Sequence, residues 1–361
     1  MNVFSVPIKS KEVVLALGPE SVGNFSIYLK GKIYFSKNFG DLLDNKNFQK
    51  FKKTVLQHLK KNKIDPGVVL TDLHPLYKTT VLGNKLARKF KAKHVKIQHH
   101  LAHIFSAIGE NMTQANNYKL PTTALGIACD GTGYGLDEKI WGGEIFRIKD
   151  RKRIGHLENQ VMIGGDLAVN EPARMLLSIL NNFLEKDGVS KYLKKYYTKN
   201  QFELLYNQLQ QKFNCQETSS TGRVLDAASV LLGFSKNKRS YKHGPIDLLE
   251  KNSTIPYKIK PGIKNNIIQT TPLFKYLIKN IHKDKKRLAA TAQQYIVDGL
   301  YGITKKTNPK NIYFAGGMAN NKIISSYLEF KGVITNKKIP RGDAGLSFGQ
   351  TTYYLLANSG D

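Results

Sequence analysis

The sequence predicts an α/β protein of two lobes, residues 1–118 and 119–361, with a helical insertion at about 171–305 in the second lobe. Two observations support this fold class. Each half opens with three short apolar or alternating segments typical of strands in a meander, and helices alternate with strands afterwards. The second half also carries a long run of helical periodicity. The halves share an order of elements but no repeated sequence, so we expect a duplicated fold with a ligand cleft between the lobes.

In the first half, three strands are predicted, then helix, strand, helix and strand. The first helix rests on the four-residue spacing of Phe51, Val55 and Leu59, and the run from Asp65 to Gly67 ends it. The predicted strands are 12–18, 24–30, 32–36, 68–73 and 94–97, and the predicted helices are 48–59 and 77–90.

In the second half, three strands are predicted again, and the helical insertion follows them. A strand, a helix, a short strand and a closing helix complete the chain. The predicted strands are 122–128, 141–148, 152–157, 312–315 and 332–335, and the predicted helices after the insertion are 320–330 and 344–356.

Composition narrows the class of protein. The chain has 361 residues, of which 41% are hydrophobic, enough for two or three compact lobes. No run approaches eighteen apolar residues and the first twelve lack an apolar signal core, so we expect no membrane helix and no export. The two cysteines, Cys129 and Cys215, provide no disulfide framework and fit a reducing cytoplasm.

The net charge of +29 leaves several partners open. A Lys/Arg excess on this scale is typical of proteins that bind nucleic acid, phosphorylated ligands or an acidic protein. The lysines are scattered among many Asn and Ile residues, however, which also fits a compositional bias. Nucleic acid is therefore not the favoured partner.

Two histidines four residues apart, His99 and His103, form the central candidate site. A predicted strand ends at Ile97 and a helix follows, so both side chains lie on one face of the helix start. That spacing lets two imidazoles bind one cation. The alternative for so short a motif is a pair that caps the helix or faces solvent. His100 lies on another face of the helix and is not expected to be a ligand.

Two glycine-rich segments each follow a predicted strand. Residues 130–135 read Asp-Gly-Thr-Gly-Tyr-Gly, and residues 314–320 read Phe-Ala-Gly-Gly-Met-Ala-Asn. Glycines let the backbone approach a phosphate, and a helix N-terminus behind a Gly-Gly turn favours a phosphate or nucleotide. A plain hairpin at the first segment and a tight strand-to-helix turn at the second are equally compatible. Asp130, at a strand end, can hold a cation.

Three further polar stretches precede predicted helices. Asp343 lies before the closing helix, where it can be the N-cap or the oxygen ligand that completes a site with the two histidines. Arg174 can clamp a phosphate or carbonyl oxygen, or line a helix face. The run 218–223 precedes an apolar helix with Asp226 one turn in, and a capped helix alone explains this pattern.

Together these motifs closely resemble those of one family, the HypF-type carbamoyltransferases of nickel–iron hydrogenase maturation. The resembling part is their C-terminal catalytic domain, which is related to the universal tRNA threonylcarbamoyl-transfer protein. The motifs occur in the family's order over nearly the whole chain. The resembling segments are 14–18, 72–75, 98–103, 130–135, 140–144, 164–166, 171–174, 218–223, 225–227, 315–317 and 343–350.

The resemblance implies an actin-like ATPase (ASKHA) fold of two RNase H-like lobes, in agreement with the order of elements. It also implies a bound ATP or carbamoyladenylate and one divalent metal, iron or zinc. The implied metal ligands are His99, His103, Asp130 and Asp343. The implied nucleotide-binding residues are Gly131, Thr132, Gly133, Asp226, Gly316, Gly317 and Asn320, and the implied catalytic residues are Asp166 and Arg174.

In the family, a carbamoyladenylate made from carbamoyl phosphate and ATP reaches this domain. Its carbamoyl group passes to the C-terminal cysteine of a partner protein, HypE. The resemblance therefore implies a metal- and ATP-dependent carbamoyltransferase with a HypE-type acceptor. Because the thiolate belongs to the partner, the chain needs no nucleophile of its own.

The chain departs from the family pattern in two ways. Full-length members carry acylphosphatase, zinc-finger and YrdC-like domains ahead of this one, whereas this sequence has no CxxC pair. We therefore expect a stand-alone transfer domain that works with a separate YrdC-like, adenylate-forming protein. His243 stands where the family pattern has an acidic residue, which bears on substrate detail.

Two other functions stay open. One is threonylcarbamoyl transfer to tRNA, or carbamoylation of a small molecule. The net charge favours tRNA, whereas Ala102 stands where the tRNA family usually has glycine before its second histidine. The other is a nucleotide-binding scaffold without transfer activity. The presence of all four candidate metal ligands argues against that scaffold.

Overall fold

The structure is a computed structural model that describes residues 1–114 and 118–358. The elements of the first half are β1 (Asn2–Ser5), β2 (Val14–Ala16), β3 (Ser26–Leu29), β4 (Lys32–Phe35), α1 (Asn45–Lys61), β5 (Val68–Asp72), α2 (Lys78–Phe90), β6 (Lys93–Ile97) and α3 (His99–Met112). The strands form one mixed sheet in the order β1-β4-β3-β2-β5-β6. Strands β2, β5 and β6 run parallel, and the other pairs are antiparallel.

Every element predicted for the first half is confirmed, but the sequence analysis missed β1. This strand shows no apolar alternation, and three of its four residues are exposed. Backbone pairing with β4 defines it, and such pairing leaves no signal in the side chains. The predicted first helix begins earlier than expected because the Asp44 carboxylate caps α1 by accepting from Lys46 N and Asn47 N.

The second half builds a nine-stranded sheet. Its strands are β7 (Leu125–Tyr134), β8 (Ile140–Arg147), β9 (Lys152–Leu157), β10 (Gln160–Ile163), β11 (Cys215–Thr218), β12 (Ile263–Lys264), β13 (Ile267–Ile268), β14 (Ile312–Ala315) and β15 (Ile334–Thr335). The main path runs β12-β13-β9-β8-β7-β14-β15, and β10 joins through β11, which also pairs with β8. Like the first sheet, it begins with antiparallel strands and continues with parallel ones.

The predicted insertion is mostly helical, but it is not helical throughout, because three short strands interrupt it. Strands β11, β12 and β13 lie inside the predicted range 171–305. They are only two to four residues long, so no local periodicity marks them. Strands β11 and β13 pair with strands distant in the chain, and β12 pairs with the adjacent β13. The helices of the second half are α4 (Leu167–Asn170), α5 (Ala173–Asn181), α6 (Lys186–Leu193), α7 (Lys199–Gln210), α8 (Thr221–Leu232), α9 (Gly244–Lys251), α10 (Thr271–Lys279), α11 (Lys285–Lys305), α12 (Lys322–Phe330) and α13 (Leu346–Asn358).

The closing helix α13 crosses back to the first half. Its Phe348 is buried in the core beneath the first sheet, and Gln350 Oε1 accepts from Gly18 N at 3.0 Å. A domain division at residue 118 therefore assigns α13 to the second lobe by chain order, while its packing partners belong to the first. Among the described helices, none combines the length and apolar character that crossing a bilayer requires.

Helices α3 and α13 pack at backbone distance, and two glycines make this contact possible. A Cβ on Gly349 would lie 1.8 Å from the carbonyl oxygen of Ala102. A Cβ on Gly109 would lie 2.3 Å from Thr352 Oγ1. Real Cβ atoms do not approach other atoms this closely, so any larger residue at Gly349 must push the helices apart.

We expect Gly349→Ala to lower the free energy of unfolding by about 3 kcal/mol or more, because the added methyl group meets backbone and not a flexible side chain. Urea denaturation followed by circular dichroism measures this change. Gly302→Ala in α11 is the matched control, since its nearest neighbour is an Ile263 methyl group at 3.9 Å. A loss of stability in Gly349→Ala no larger than in the control would contradict the helix contact.

Candidate metal centre and ligand pocket

The first turn of α3 carries two buried histidines. Strand β6 ends at Ile97, and Gln98 caps the helix by accepting from Leu101 N at 2.9 Å. His99 and His103 therefore follow one another by one turn, and their Nε2 atoms lie 3.1 Å apart. Both side chains are almost completely shielded from solvent. The predicted shared face is thus confirmed, and the solvent-facing alternative is wrong.

Two carboxylates from the second half reach this histidine pair. Asp130 Oδ2, on β7, lies 3.1 Å from the Nε2 atom of each histidine. Asp343 Oδ1 lies 3.5 Å from His99 Nε2 and 3.3 Å from His103 Nε2. Asp343 opens a short 3-10 turn ahead of α13 without capping it. The four ligand atoms all lie within 4.8 Å of one another.

This group fits a divalent metal ion. Two imidazole nitrogens and two carboxylate oxygens converge from three separate elements, and this donor set suits first-row divalent metals, zinc and iron among them. Asp343 Oδ1 is buried without a hydrogen-bond partner among the described residues. Such an oxygen, aimed at two nitrogens that face each other, is better satisfied by a cation than by its neighbours.

Asp72, at the end of β5, orients His99. Its Oδ2 accepts from His99 Nδ1 at 2.6 Å, which leaves His99 Nε2 free to face the group. Strands β5 and β6 are parallel neighbours, and Asp72 pairs in register with Ile97 just before the helix. The sequence analysis quoted residues 72–75 as a motif but gave Asp72 no role. The signal available was an acidic residue at the end of an apolar strand.

Electrostatics couples the four groups. Burial alone lowers the pKa of His99, but the nearby carboxylates of Asp72, Asp130 and Asp343 outweigh burial and hold its pKa well above the ordinary value. Burial likewise opposes the charged form of His103, and Asp130 and Asp343 raise its pKa. Conversely, the two histidines hold the pKa values of Asp130 and Asp343 below their usual range against the effect of burial. Both carboxylates are therefore ionised at neutral pH.

The segment that carries Asp343 is anchored by α3 itself. The buried Glu110 carboxylate accepts from three consecutive amides, those of Lys337, Lys338 and Ile339, at 2.7 to 2.9 Å. Asn24 Nδ2 donates to the Asp343 carbonyl at 2.9 Å. The helix that presents the histidines therefore also fixes the loop that presents one of their acidic neighbours.

The group lies at one wall of a cavity of about 400 Å³. Both sheets and the insertion contribute to this pocket. Its lining is Pro19, Ser21, Val22, Tyr77, His99, Asp130, Gly131, Thr132, Val169, Arg223, Arg239, Lys242, His243, Ile246, Gly317, Met318, Asn320, Pro340, Arg341, Gly342, Asp343 and Ala344. The predicted cleft between the halves therefore exists and contains the histidine–aspartate group.

The structure sorts the predicted site residues into two sets. The first set lines the pocket, and His103 lies directly behind it. Asp166 and Arg174 lie outside the lining: Asp166 is exposed, and Arg174 Nε pairs with Glu171 at 2.8 Å. Their catalytic role stays a prediction. The predicted residues in the lining are His99, Asp130, Gly131, Thr132, Gly317, Asn320 and Asp343, and those outside it are Asp166, Arg174, Gly133, Gly316 and Asp226.

The first glycine segment forms a hairpin, and Gly131 and Thr132 of this hairpin line the pocket. Strand β7 continues through it to Tyr134 and pairs with β8 across a bulge between Cys129 and Gly133. The Gly131 amide already donates to Asp130 Oδ1 at 2.7 Å. A Cβ on Gly133 would lie 2.3 Å from His100 Cε1, so this glycine makes room for the buried His100 ring.

The second glycine segment is a tight turn after β14. Gly316 has φ +107°, and a Cβ there would lie 2.3 Å from the Cys129 carbonyl oxygen, so glycine is required on both counts. The helix α12 that follows begins at Lys322 and is capped by Asn321. This turn brings Gly317 to within contact of Asp130 Oδ1 at the pocket wall.

A basic cluster in the pocket lining, next to the histidine–aspartate group, was missed. Arg223 and Arg239 both contact the buried carboxylate of Asp226, and Lys242 Nζ lies 3.7 Å from Asp343 Oδ2. Burial raises the pKa of Asp226, and the two guanidinium groups oppose that shift. Arg223 and Arg239 therefore line the pocket, whereas the predicted residue Asp226 lies outside the lining and contacts both arginines. Arg223 and Asp226 lie one turn apart on α8, whereas Arg239 and Lys242 lie between α8 and α9, and no local pattern links the two pairs.

Comparison with known proteins identifies related chains. Residues 9–110 match the HypF Kae1-like domain, and residues 126–350 match the second subdomain of the carbamoyltransferase Kae1-like domain. A probable carbamoyltransferase HypF of Methanocaldococcus jannaschii is 38% identical over 98% of this chain and 48% of its own length. A Rhodobacter capsulatus carbamoyltransferase HypF is 25% identical over 93% of this chain and 46% of its own.

Two solved structures share the fold. The crystal structure of full-length HypF in a phosphate- and nucleotide-bound form has a TM-score of 0.87 at 25% identity, over 99% of this chain and 48% of that chain. The crystal structure of T. kodakarensis HypF has a TM-score of 0.88 at 27% identity, over 98% and 49%. This likeness confirms the predicted actin-like α/β class. The chain spans about half the length of these relatives.

We expect the protein to bind one divalent ion and Asp72→Asn to weaken that binding about 10- to 100-fold, because His99 loses the carboxylate that orients it. Competition against a chromophoric chelator measures the affinity. Asp65→Asn is the matched control, since Asp65 is exposed in the loop before β5. Unchanged metal affinity in Asp72→Asn would show that the carboxylate does not support the centre.

Proposed function

Because this chain belongs to the HypF carbamoyltransferase family, we propose that it transfers a carbamoyl group from carbamoyladenylate to the C-terminal cysteine of a HypE-type partner. The adenylate forms from carbamoyl phosphate and ATP before it reaches this site. A nucleotide ligand is supported by the phosphate and nucleotide bound in a full-length HypF structure.

The observation that carries the proposal is the histidine–aspartate group at the wall of a partly basic pocket. A metal ion bound there would act as a Lewis acid toward phosphate or carbonyl oxygens of an adenylate. His99, His103, Asp130 and Asp343 would hold it, with His99 oriented by Asp72. The cavity of about 400 Å³ has room for a nucleotide-sized ligand.

The reaction itself is an acyl transfer. The partner's thiolate sulfur attacks the carbamoyl carbon, a C–S bond forms, and the C–O bond to the phosphate breaks, so AMP leaves with the electron pair. The residues of this chain bind and orient the adenylate and keep solvent from its carbamoyl group. They also stabilise the charge that develops on the leaving phosphate.

Neither cysteine of this chain fits the role of nucleophile. Cys129 is completely buried in β7, and burial raises the pKa of its thiol to about 12. Cys215 is absent from the pocket lining, and its Sγ lies 3.4 Å from the Phe213 carbonyl oxygen. An acceptor thiolate supplied by a partner is therefore consistent with the arrangement.

The strong positive charge supports tRNA as a second candidate acceptor. Helix α1 has six lysines and no acidic residue, and its apolar face is buried against the first sheet. An acid-free basic helix attracts a phosphate backbone. Threonylcarbamoyl transfer to tRNA would use the same metal centre with a different acceptor.

A transfer assay tests the proposal. The protein is mixed with synthetic carbamoyladenylate and a HypE-type partner, and the partner's C-terminal cysteine is read by mass spectrometry. We expect a gain of one carbamoyl group, and we expect His103→Ala to lose both metal and transfer because a ligand is removed. His282→Ala is the matched control, since His282 is exposed between α10 and α11.

No gain on the partner, with metal and nucleotide still bound, would contradict the acceptor and direct the same assay to tRNA. Full transfer by metal-free protein would contradict the role of the centre. Equal transfer by His103→Ala and His282→Ala would do the same.

A further inference from the structure

Three arginines line the pocket, and two of them are fully occupied. Arg239 donates Nε to the Val169 carbonyl at 2.8 Å and its other two nitrogens to the Lys242 carbonyl and to Asp226. Arg341 donates to the Asn336 and Ala319 carbonyls and to Glu329. Every nitrogen of these two guanidinium groups therefore already donates to an oxygen of the protein.

Arg223 is different. Within residues 1–114 and 118–358, its Nη2 lies 3.1 Å from Asp226 Oδ2, while its buried Nε has no hydrogen-bond partner. Its side chain is only 5% exposed, so water does not solvate this charge as it would on the surface. A buried donor of a charged group without an acceptor is costly, and a ligand that supplies the acceptor recovers that cost.

The local charge also requires an anion. Two buried guanidinium groups share one carboxylate, that of Asp226, so one positive charge is not balanced within the cluster. Lys242 adds another cation at the pocket mouth. The carboxylates of Asp130 and Asp343 are engaged by the histidines. A phosphate group is the anion whose oxygens match a forked guanidinium.

The position of Arg223 is suitable for the reacting part of a ligand. Its Nη2 would lie 3.4 Å from a Cβ on Gly131, the residue next to Asp130. We infer that Arg223 binds the phosphate of the nucleotide beside the metal centre, and that Asp226 is the residue that positions Arg223. The inference rests on the proposed nucleotide ligand, and it adds a guanidinium to the glycine residues that line the same pocket.

Calorimetric titration of the full chain with AMP, adenosine and inorganic phosphate tests the inference without a transfer reaction. We expect Arg223→Gln to weaken AMP about 10- to 100-fold, the loss typical of one charge-assisted contact. Adenosine, which lacks the phosphate, should keep its affinity within about threefold. Asp226→Asn should likewise weaken AMP more than adenosine. Arg88→Gln, at an exposed position of α2, should match the wild-type protein for both ligands.

Arg223→Lys keeps the positive charge but lacks the two parallel donors of the guanidinium group, and it replaces the glutamine variant if that variant does not fold. We expect it to lose AMP affinity to an intermediate extent. Inorganic phosphate that binds as tightly as AMP, and depends on Arg223, would support the anion site with free phosphate as its source. Equal loss of AMP and adenosine in Arg223→Gln would overturn the inference, as would unchanged AMP affinity. Those two outcomes leave the transfer assay, and with it the proposed function, unaffected.

Discussion

The close packing of α3 against α13 is the constraint on which the site depends. Gly349 lies against the Ala102 carbonyl, between the two histidine positions of α3. Because α13 starts directly after Asp343, a helix held at this distance also fixes where that carboxylate meets the histidines. Glu110 adds a second attachment at the other end of α3. Backbone contact leaves little freedom, so the fold itself holds the histidine and aspartate side chains close together.

Two buried carboxylates, Asp72 and Asp226, orient other side chains of the site. Asp72 accepts a hydrogen bond from His99 Nδ1, and Asp226 forms ion pairs with the guanidinium groups of Arg223 and Arg239. Neither acid lines the pocket. A buried carboxylate outside the lining fixes the orientation of an imidazole or guanidinium group that does line the pocket. The low dielectric of the interior strengthens the hydrogen bond between them. A buried carboxylate therefore supports both the histidine pair and the arginine pair at the pocket.

Prediction from sequence was accurate wherever a signal is periodic and local. The spacing of Phe51, Val55 and Leu59 located α1, and the spacing of His99 and His103 placed both side chains on one face of α3. The same reasoning missed β1, because backbone pairing with the distant β4 defines it, and the strands inside the insertion, because they are only two to four residues long. It also left the segment 130–135 undecided between a loop and a hairpin. Its glycines serve the hairpin and the packing of His100.

The sequence by itself determined the two-lobe α/β class, the family resemblance and the shared face of the histidine pair, since each depends on residue order or backbone period. Only the tertiary structure decided which distant groups meet. Asp72 touches His99 because β5 and β6 pair in parallel, and Arg239 reaches Asp226 from the segment after α8, while Arg223 Nε has no partner among the described residues. Whether a polar atom is satisfied depends on everything that surrounds it in space, and no pattern along the chain records that environment.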